Sequence, residues 1–451
     1  MTGLFFDTAL LPGGWADDVR ITLTQEGIAS VDAGAARAPD DAHHAVGLPG
    51  LASLHSHAFQ RAMAGLTEAR GTEADSFWTW RELMYRFVGR ITPDQVEAVA
   101  AQAYAEMLEG GFTRVGEFHY LHHAPDGAPY TDIGELSGRI VAAAAATGIG
   151  LTLLPVFYAQ SGFGGLPPEP GQRRFVTGID AFARLLDSCR SHARSDPGIV
   201  IGVAPHSLRA VTPSDLERVA VLAPDSPIHL HIAEQEKEVR DCLAWCGQRP
   251  VDWLLDRFAV DGRWTLIHAT HLSDDETDRL ASSGAVAGLC PVTEANLGDG
   301  TFPAVRFLKA GGTIGIGTDS NVCIGAADEL RQLEYSQRLA LRARNALSLG
   351  DGRSTGRTLF DACLAGGARS LGTAPGELAP GAVGDILCLR RGAALAGRSV
   401  DAVLDTWVFA ARESPVDEVW VRGRRVVRGG RHVRAVAIGD RYRAVLKELL
   451  A

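Results

Sequence analysis

The sequence predicts an α/β protein in which a (β/α)8 barrel carries a small β-sandwich built from both chain ends. Three observations favour this class: apolar strand candidates alternate with helical stretches in the middle, strand-like segments occupy both ends, and histidines and carboxylates recur where middle strands end. The predicted domains are the barrel, residues 48–377, and the sandwich, residues 1–47 plus 378–451.

The two chain ends show alternating apolar and polar residues interrupted by glycines, which is typical of short strands. The segments with this pattern are residues 3–6, 19–23, 28–31, 385–389 and 416–423. We expect them to meet in one sandwich, followed by a helix over about residues 440–450.

The middle of the chain contains eight apolar strand candidates, the strand count of a (β/α)8 barrel. They lie at residues 48–57, 113–120, 151–157, 199–204, 228–233, 265–268, 285–289 and 313–317, with helices such as 92–109 and 327–347 between or after them. Residues 162–174 are rich in glycine and proline and are expected to form a surface loop.

The composition is that of a globular protein, with 46% hydrophobic and 22% charged residues in a chain of 451. A formal net charge of −10 and a pI near 5.8 argue against a nucleic-acid or anionic-membrane partner. We see no signal peptide and no apolar run approaching the ~18 residues of a membrane span. The 7 cysteines lack disulfide-like spacing, which predicts a reducing, cytoplasmic location.

The first site signal is His55-Ser56-His57, at the end of the first middle strand. Residues two apart in a strand share a face, with Cα atoms roughly 6–7 Å apart, so both imidazoles can face one metal ion. The motif by itself is also compatible with two polar histidines in a turn, because isolated His-x-His sequences are common.

Matching groups end other strands: His231 ends the fifth, His268 the sixth, and Asp319 follows the eighth. Active sites of (β/α)8 barrels lie at the carboxyl ends of their strands, so these groups are expected to converge. Three imidazoles and a carboxylate suit zinc or another borderline divalent ion, whereas calcium and magnesium prefer oxygen ligands. We therefore predict one divalent ion per chain, preferably Zn²⁺, held by His55, His57, His231 and Asp319.

An ion of this kind lowers the pKa of water toward ~7. Glu234, three residues beyond His231, is expected to collect the water proton and return it to a leaving nitrogen. The predicted catalytic residues are thus Glu234, His268 and Asp319, the latter two orienting water or polarising the substrate.

This layout resembles the amidohydrolase superfamily over essentially the whole chain. Many binuclear members carry a modified lysine at the end of strand four, but residues 203–207 here read Val-Ala-Pro-His-Ser. The three lysines, Lys237, Lys309 and Lys447, lie elsewhere. That departure, together with Glu234, resembles the mononuclear deaminase branch.

A closer resemblance, to the formimidoylglutamate deiminase family, is carried by residues 54–65, 76–85, 116–123 and 290–300. It implies conversion of N-formimidoyl-L-glutamate and water to N-formyl-L-glutamate and ammonia, in histidine degradation. The superfamily resemblance also implies a homodimer.

An arginine fork binds a carboxylate through two parallel hydrogen bonds, although arginine at such a position more often forms a surface ion pair. By the family resemblance, the two carboxylates of a small dicarboxylate substrate would be held by Gln60, Arg81, Tyr120, His206 and Arg209.

Several nearby residues are interpreted as structural. His119, His122 and His123 lack an apparent fourth ligand, Glu117 points opposite Tyr120, and His229 is expected deeper in the barrel, supporting a ligand. The aromatic run at residues 77–85 is typical of core, although it could form a lid over the site. Ser320 and Glu294 are left without a role.

Two rival functions remain open at this point. Another mononuclear deaminase, acting on guanine or cytosine, would want amides and aromatic faces rather than two arginines. A non-catalytic barrel relative would need no intact set of ligands and proton-transfer groups. The sequence also leaves open formimidoyl-aspartate, which differs by one methylene, a discrimination of only ~1–3 kcal/mol.

Overall fold

The computed structural model describes residues 1–68 and 77–451. Of the motif at 76–85, Ser76 and the side chains of Phe77, Trp78 and Thr79 lie outside this description, and with them part of the predicted lid. The strands are β1 (Thr2–Leu11), β2 (Gly14–Thr24), β3 (Gly27–Asp32), β4 (Ala42–Pro49), β5 (Leu51–Ser56), β6 (Phe112–His119), β7 (Gly150–Phe157), β8 (Val200–Ile201), β9 (Ala204–Pro205), β10 (Ile228–Ile232), β11 (Trp264–His268), β12 (Val286–Leu289), β13 (Thr313–Ile316), β14 (Ile386–Leu389), β15 (Val416–Val421), β16 (Arg424–Arg428) and β17 (Arg431–His432).

The helices alternate with the middle strands, as the sequence predicts. They are α1 (Phe77–Val88), α2 (Pro93–Glu109), α3 (Glu135–Thr147), α4 (Ile179–Ala193), α5 (Pro213–Leu222), α6 (Glu236–Cys246), α7 (Pro250–Arg257), α8 (Asp274–Ser283), α9 (Pro291–Leu297), α10 (Ala304–Lys309), α11 (Ala326–Leu341), α12 (Thr355–Ser370), α13 (Asp401–Phe409) and α14 (Ala435–Leu449). Short 3₁₀ turns lie at Ala58–Met63, Pro170–Gln172 and Ala393–Leu395. No helix among the described residues is long and apolar enough to cross a membrane.

Both chain ends contribute to one eight-stranded mixed sheet, with the order β17-β16-β15-β14-β4-β1-β2-β3. The two ends meet where β14 pairs antiparallel with β4, for example Leu387 with Leu48. Apolar side chains from both ends, such as Phe6, Ile21 and Ile386, share a buried cluster. The N-terminal and C-terminal segments therefore fold as one module.

The middle strands form two parallel sheets, β5-β6-β7-β8 with β9 on β7, and β10-β11-β12-β13. Parallel bridges connect the sheets at both edges, joining Ser56 to Asp319, Val203 to Ile228, and Ser207 to His231. Two of these bridges lie at the carboxyl ends of strands, so the site residues of the two sheets are brought side by side.

Three predicted segments differ from the structure. The strand predicted over 48–57 is interrupted at Pro49-Gly50, because the chain leaves the mixed sheet there and a side chain at position 50 would overlap Thr113. The helix predicted to reach 347 ends at Leu341, since Arg342 takes a left-handed conformation (φ 54°). The predicted surface loop 162–174 is buried at its end, where Gln172 is 0% and Arg174 1% exposed.

Candidate active site

Three imidazoles converge at the carboxyl ends of β5 and β10. The Nε2 atom of His55 lies 3.2 Å from Nε2 of His57 and 3.1 Å from Nε2 of His231. All three side chains are buried, and their ligand atoms lie within 4.8 Å of one another. The structure thus brings together the three predicted histidine ligands.

The tautomers of two of these histidines are set by backbone carbonyls. Nδ1 of His57 donates to the carbonyl of Phe118 at 2.9 Å, and Nδ1 of His231 donates to the carbonyl of His206 at 3.1 Å. Both Nε2 lone pairs therefore point at His55.

A proton on His55 Nε2 could satisfy only one of these lone pairs, whereas a cation satisfies both. Burial lowers the pKa of His55 to about 3 and that of His231 well below its usual value, which keeps the imidazoles neutral. Neutral imidazoles are the form that binds a metal, so the site fits a divalent ion.

Asp319 supplies the carboxylate of this cluster. Its Oδ1 lies 3.5 Å from Nε2 of His55 and 3.3 Å from Nε2 of His57. Burial by itself would raise the pKa of Asp319, but the hydrogen bond with His55 and the neighbouring imidazoles hold the pKa below its usual value. An ionised carboxylate beside three neutral imidazoles completes a ligand set of the predicted type.

The backbone of Asp319 has a left-handed conformation (φ 43°), which is unusual for a residue with a side chain. Hydrogen bonds hold it there: its N–H donates to the carbonyl of His55 at 3.0 Å, and its carbonyl accepts from the His57 N–H at 2.9 Å. The Asn321 side-chain amide also donates to that carbonyl, at 2.9 Å. The ends of β5 and β13 are thus locked together around the candidate metal ligands.

Glu234 and His268 lie on the other side of Asp319. Nε2 of His268 is 3.7 Å from Oε1 of Glu234 and 3.8 Å from Oδ2 of Asp319. Burial raises the pKa of Glu234 to about 7, against the opposing charges of His268 and Arg209. Burial lowers the pKa of His268, but the Glu234 carboxylate and the hydrogen bond to Glu294 outweigh it and raise the pKa to about 10. A carboxyl group that titrates near neutral pH is suited to proton transfer.

Glu294, which the sequence left without a role, fixes the orientation of His268. Its Oε1 accepts from Nδ1 of His268 at 3.2 Å and from the backbone N–H of Cys290 at 2.8 Å. Glu294 lies in the first turn of α9, just after β12. Its position shortly after the seventh middle strand could have indicated that Glu294 lies at the site. The side chain, however, comes from a helix rather than from the strand end.

A cleft that is partly open to solvent lies against this cluster. All five residues predicted to hold a dicarboxylate line it: Gln60, Arg81, Tyr120, His206 and Arg209. Tyr85, from the run considered as a possible lid, and Ser320, which was left without a role, also line it. Sequence reasoning missed other lining residues, among them Met84, Tyr158, Phe175 and Thr293.

The two arginines of the cleft stand near acidic groups. Arg209 is buried, with Nε 3.8 Å from Oε2 of Glu238. Nη2 of Arg81 lies 4.0 Å from Oε2 of Glu169. Nε2 of Gln60 donates to the hydroxyl of Tyr120 at 2.9 Å, and that hydroxyl in turn donates to Sδ of Met84 at 4.0 Å, which is a weak acceptor.

Of the three discounted histidines, His122 and His123 contact backbone carbonyls, and His119 is buried. Nε2 of His122 contacts the Val156 carbonyl at 2.8 Å, and Nε2 of His123 contacts that of Val176 at 2.9 Å. His229 contacts Ser370 of α12 at 2.9 Å rather than supporting a metal ligand. Glu117 accepts the Ala58 N–H at 2.8 Å, just after His57, which is a structural contact.

The parallel α/β core and the cluster at its strand ends define a hydrolase of the metal-dependent amidohydrolase class. Residues 46–426 match the model of the Amidohydrolase family, and residues 1–45 match that of "Formimidoylglutamate deiminase HutF, N-terminal domain". The chain belongs to the amidohydrolase family.

Comparison with known proteins confirms the closer resemblance found in the sequence motifs. The chain is 52% identical over 454 residues to a formimidoylglutamate deiminase of Pseudomonas aeruginosa, covering 100% of both chains. It is 30% identical to an 8-oxoguanine deaminase of the same species, covering 91% of this chain and 89% of the relative.

Among solved structures, an amidohydrolase from Brucella melitensis has a TM-score of 0.97 and 55% identity, with 100% of both chains covered. An adenosine deaminase from Xanthomonas campestris, solved with bound zinc, shares the fold, with a TM-score of 0.83 and 24% identity over 100% of this chain and 98% of that one.

Proposed function

We propose that this protein is a metal-dependent formimidoylglutamate deiminase, which hydrolyses N-formimidoyl-L-glutamate to N-formyl-L-glutamate and ammonia in histidine degradation. The observation that carries the proposal is that one cleft is lined both by Glu234, His268 and members of the histidine cluster and by Arg81 and Arg209. The full-length similarity to a formimidoylglutamate deiminase supports it independently.

The architecture that goes with this proposal is a (β/α)8 barrel over residues 48–377, formed by the two bridged parallel sheets. The β-sandwich of residues 1–47 and 378–451 carries the mixed sheet. The bridges at both edges of the parallel sheets support a closed barrel, and the β14–β4 pairing supports one terminal domain. We further propose a cytoplasmic location, which the cysteine spacing predicts, and a homodimer, which the superfamily resemblance implies.

His55, His57, His231 and Asp319 would hold one divalent ion, for which the donor set of three imidazoles and one carboxylate favours zinc. When bound, such an ion acts as a Lewis acid that makes water a nucleophile near neutral pH.

The remaining chemistry is assigned to side chains of this chain. The Glu234 carboxylate takes a proton from water as the water oxygen bonds to the formimidoyl carbon. Glu234 passes that proton to the terminal nitrogen, which gives a tetrahedral carbon bearing a hydroxyl and an amino group. Glu234 then transfers the remaining hydroxyl proton to the amino nitrogen as the C–N bond breaks, so that ammonia leaves and the formyl C=O forms. His268, oriented by Glu294, and Asp319 flank the reacting oxygen.

The substrate carboxylates are assigned to the arginine part of the cleft. Arg81 and Arg209 each offer a planar donor fork, and Gln60, Tyr120 and His206 lie beside them. A neutral base such as guanine or cytosine presents donors as well as acceptors, and its donors find no acceptor in an arginine fork. The site therefore favours a dicarboxylate over a ring.

The decisive assay is ammonia release by the zinc-loaded protein from N-formimidoyl-L-glutamate, with N-formimidoyl-L-aspartate, guanine and cytosine tested alongside. We expect rapid release from the first compound and competitive inhibition by L-glutamate. Release from a ring alone would keep the hydrolytic chemistry and eliminate the proposed substrate.

Replacement of Arg209 by alanine should raise KM for N-formimidoyl-L-glutamate about 100-fold or more, because a buried charge-assisted hydrogen bond is lost. Arg209→Lys should recover only part of the loss, since lysine lacks the fork. Steady-state kinetics and metal analysis would be compared with those of Arg218→Ala, an exposed arginine on α5. An unchanged KM, or a loss of metal in step with activity, would contradict the assignment.

Glu294→Gln should lower kcat about 10-fold while leaving the metal content unchanged, because the charge that orients and polarises His268 is removed. Glu329→Gln is the matched control. Glu329 is buried as well, and its carboxyl group accepts the Val292 N–H at 2.9 Å rather than contacting His268. Equal losses in the two variants would argue for a packing effect.

A further inference from the structure

A buried glutamine, Gln172, lies behind the cleft and contacts two of the tyrosines that line it. It ends the 3₁₀ turn Pro170–Gln172 and has an exposure of 0%. Its Nε2 donates to the hydroxyl of Tyr158 at 2.9 Å and to that of Tyr85 at 3.4 Å. Both tyrosines line the cleft together with Arg81 and Arg209.

The orientation of the Gln172 amide is fixed by its other end. Its Oε1 accepts the backbone N–H of Glu169 at 2.8 Å, and a flipped amide would place two donors face to face there. The NH₂ group must therefore face the tyrosines.

This orientation of the amide determines which hydrogen bonds the hydroxyl groups of Tyr85 and Tyr158 can form. Each oxygen accepts from Gln172, so each hydroxyl proton has to find an acceptor elsewhere. Even if one hydroxyl donates to the other, one proton is left to be donated. Burial raises the pKa of Tyr158 above its usual value, so the proton stays on the oxygen.

The turn that carries Gln172 is anchored by residues that have no role in the proposed mechanism. Arg174 donates from Nε to the carbonyl of His123 at 2.8 Å and from Nη1 to that of Ile91 at 2.9 Å. The N–H groups of His122 and His123 in turn donate to the Arg174 carbonyl, at 3.0 and 3.1 Å. The histidines at 122 and 123 thus help to fix the loop, which holds the glutamine in place before a ligand binds.

An ionised carboxylate accepts hydrogen bonds and donates none. The part of the cleft formed by two arginines and a tyrosine pair with a proton to donate matches such a group and mismatches a neutral base edge, which needs acceptors as well. We propose that Gln172 is a positioning residue that makes the Tyr85–Tyr158 pair a hydrogen-bond donor to a substrate carboxylate, and thereby selects carboxylate substrates. This inference rests on the proposed function and extends it to Gln172 and Tyr158, which the sequence did not indicate.

The test measures how Gln172→Glu changes KM for N-formimidoyl-L-glutamate in two backgrounds. The first is the wild-type protein, and the second is protein that lacks the hydroxyl groups of Tyr85 and Tyr158. Gln172→Glu replaces the donor with an acceptor of the same size, to which the tyrosines would donate instead. We expect KM to rise about 10-fold or more, with kcat changed much less. Tyr158→Phe should also raise KM, whereas Tyr442→Phe should not, because the Tyr442 hydroxyl contacts the Arg61 carbonyl away from the cleft.

The second background separates hydrogen-bond polarity from simple charge repulsion. In Tyr85→Phe/Tyr158→Phe protein, Gln172→Glu should change KM less than about two-fold. Neither side chain then has a hydroxyl group whose hydrogen-bond direction residue 172 could set. A full effect of Gln172→Glu in that background would mean that its charge repels the substrate directly, and would overturn the proposal. Unchanged KM in both Gln172→Glu and Tyr158→Phe would overturn it as well.

Glutarate binding, measured by calorimetry on the metal-loaded wild-type and variant proteins, gives a readout independent of turnover. We expect the same order of affinities as for KM, with wild type tightest. If wild type fails to release ammonia from N-formimidoyl-L-glutamate, the proposed function fails, while glutarate binding still tests the donor role. If wild type turns over and the variants bind glutarate as tightly as wild type does, the inference alone fails.

Discussion

Glu234→Gln is expected to lower kcat for ammonia release about 1000-fold, with the metal content and KM nearly unchanged. General acid–base catalysis by a positioned side chain contributes roughly 10²–10⁴-fold, and glutamine can neither take the proton from water nor return it to nitrogen. The residue lies 3.7 Å from His268 but has no contact with the three convergent imidazole nitrogens, so the metal ligands should stay in place. The measurement is steady-state kinetics alongside metal analysis of the same preparation.

Glu236→Gln is the matched control for this experiment. Glu236 begins α6 two residues further on, and its exposed carboxylate pairs with Arg240. It should retain wild-type kinetics, because a solvent-exposed ion pair of this kind contributes little. Near-normal turnover in Glu234→Gln would refute the proton-transfer role, and loss of metal in that variant would show that the carboxylate acts on the ligand set instead.

The part of the site that could be predicted from sequence is the part carried directly by strand ends. His55, His231 and Asp319 follow apolar strands, and parallel strands present their carboxyl ends at one edge, so strand recognition was enough to bring them together. The side chains are also chemically unusual for such positions, since a buried histidine or aspartate is costly without a partner. Burial and residue type together pointed to a metal.

Residues held by helices or loops escaped this reasoning. Glu294 reaches His268 from the first turn of α9, and its direction depends on how that helix packs. Gln172 lies in a segment whose glycines and prolines predicted a surface loop, yet Arg174 and its carbonyl partners bury the end of it. Tyr158 follows an apolar strand, where an aromatic residue is normally read as core.

The hydrophobic pattern also wrongly predicted one continuous strand over residues 48–57, where the chain passes between the two modules. Apolar residues run from Leu48 to Leu54 with little interruption, which favours one continuous strand. In the structure Pro49 and Gly50 separate β4, in the mixed sheet, from β5, in the parallel sheet. Hydrophobicity is similar on both sides because both strands are buried, so only the Pro-Gly pair could have signalled the change of sheet.

Removal of the metal by a chelator is expected to abolish ammonia release and to lower the melting temperature, and one equivalent of Zn²⁺ per chain should restore both. Because the ion binds the folded chain, its loss removes a stabilisation of RT ln(1 + [L]/Kd), about 4 kcal/mol when the ion is present at 1000 times Kd. The Nε2 atoms of His55 and His231, 3.1 Å apart, would then be left facing each other without a shared cation.

His231→Ala should have the same effect as removal of the metal, which is loss of ammonia release and a lower melting temperature. The variant should bind little metal, and added zinc should not restore its activity. His229→Gln is the matched control, because His229 lies two residues earlier on β10 but contacts Ser370, and glutamine can still donate there. A His231→Ala protein that kept a full equivalent of zinc would place the ion elsewhere, and a His229→Gln protein that lost it would show that strand packing, rather than direct ligation, controls binding. Reduced metal content in His231→Ala alone is the result that separates a ligand from a buried neighbour on the same strand.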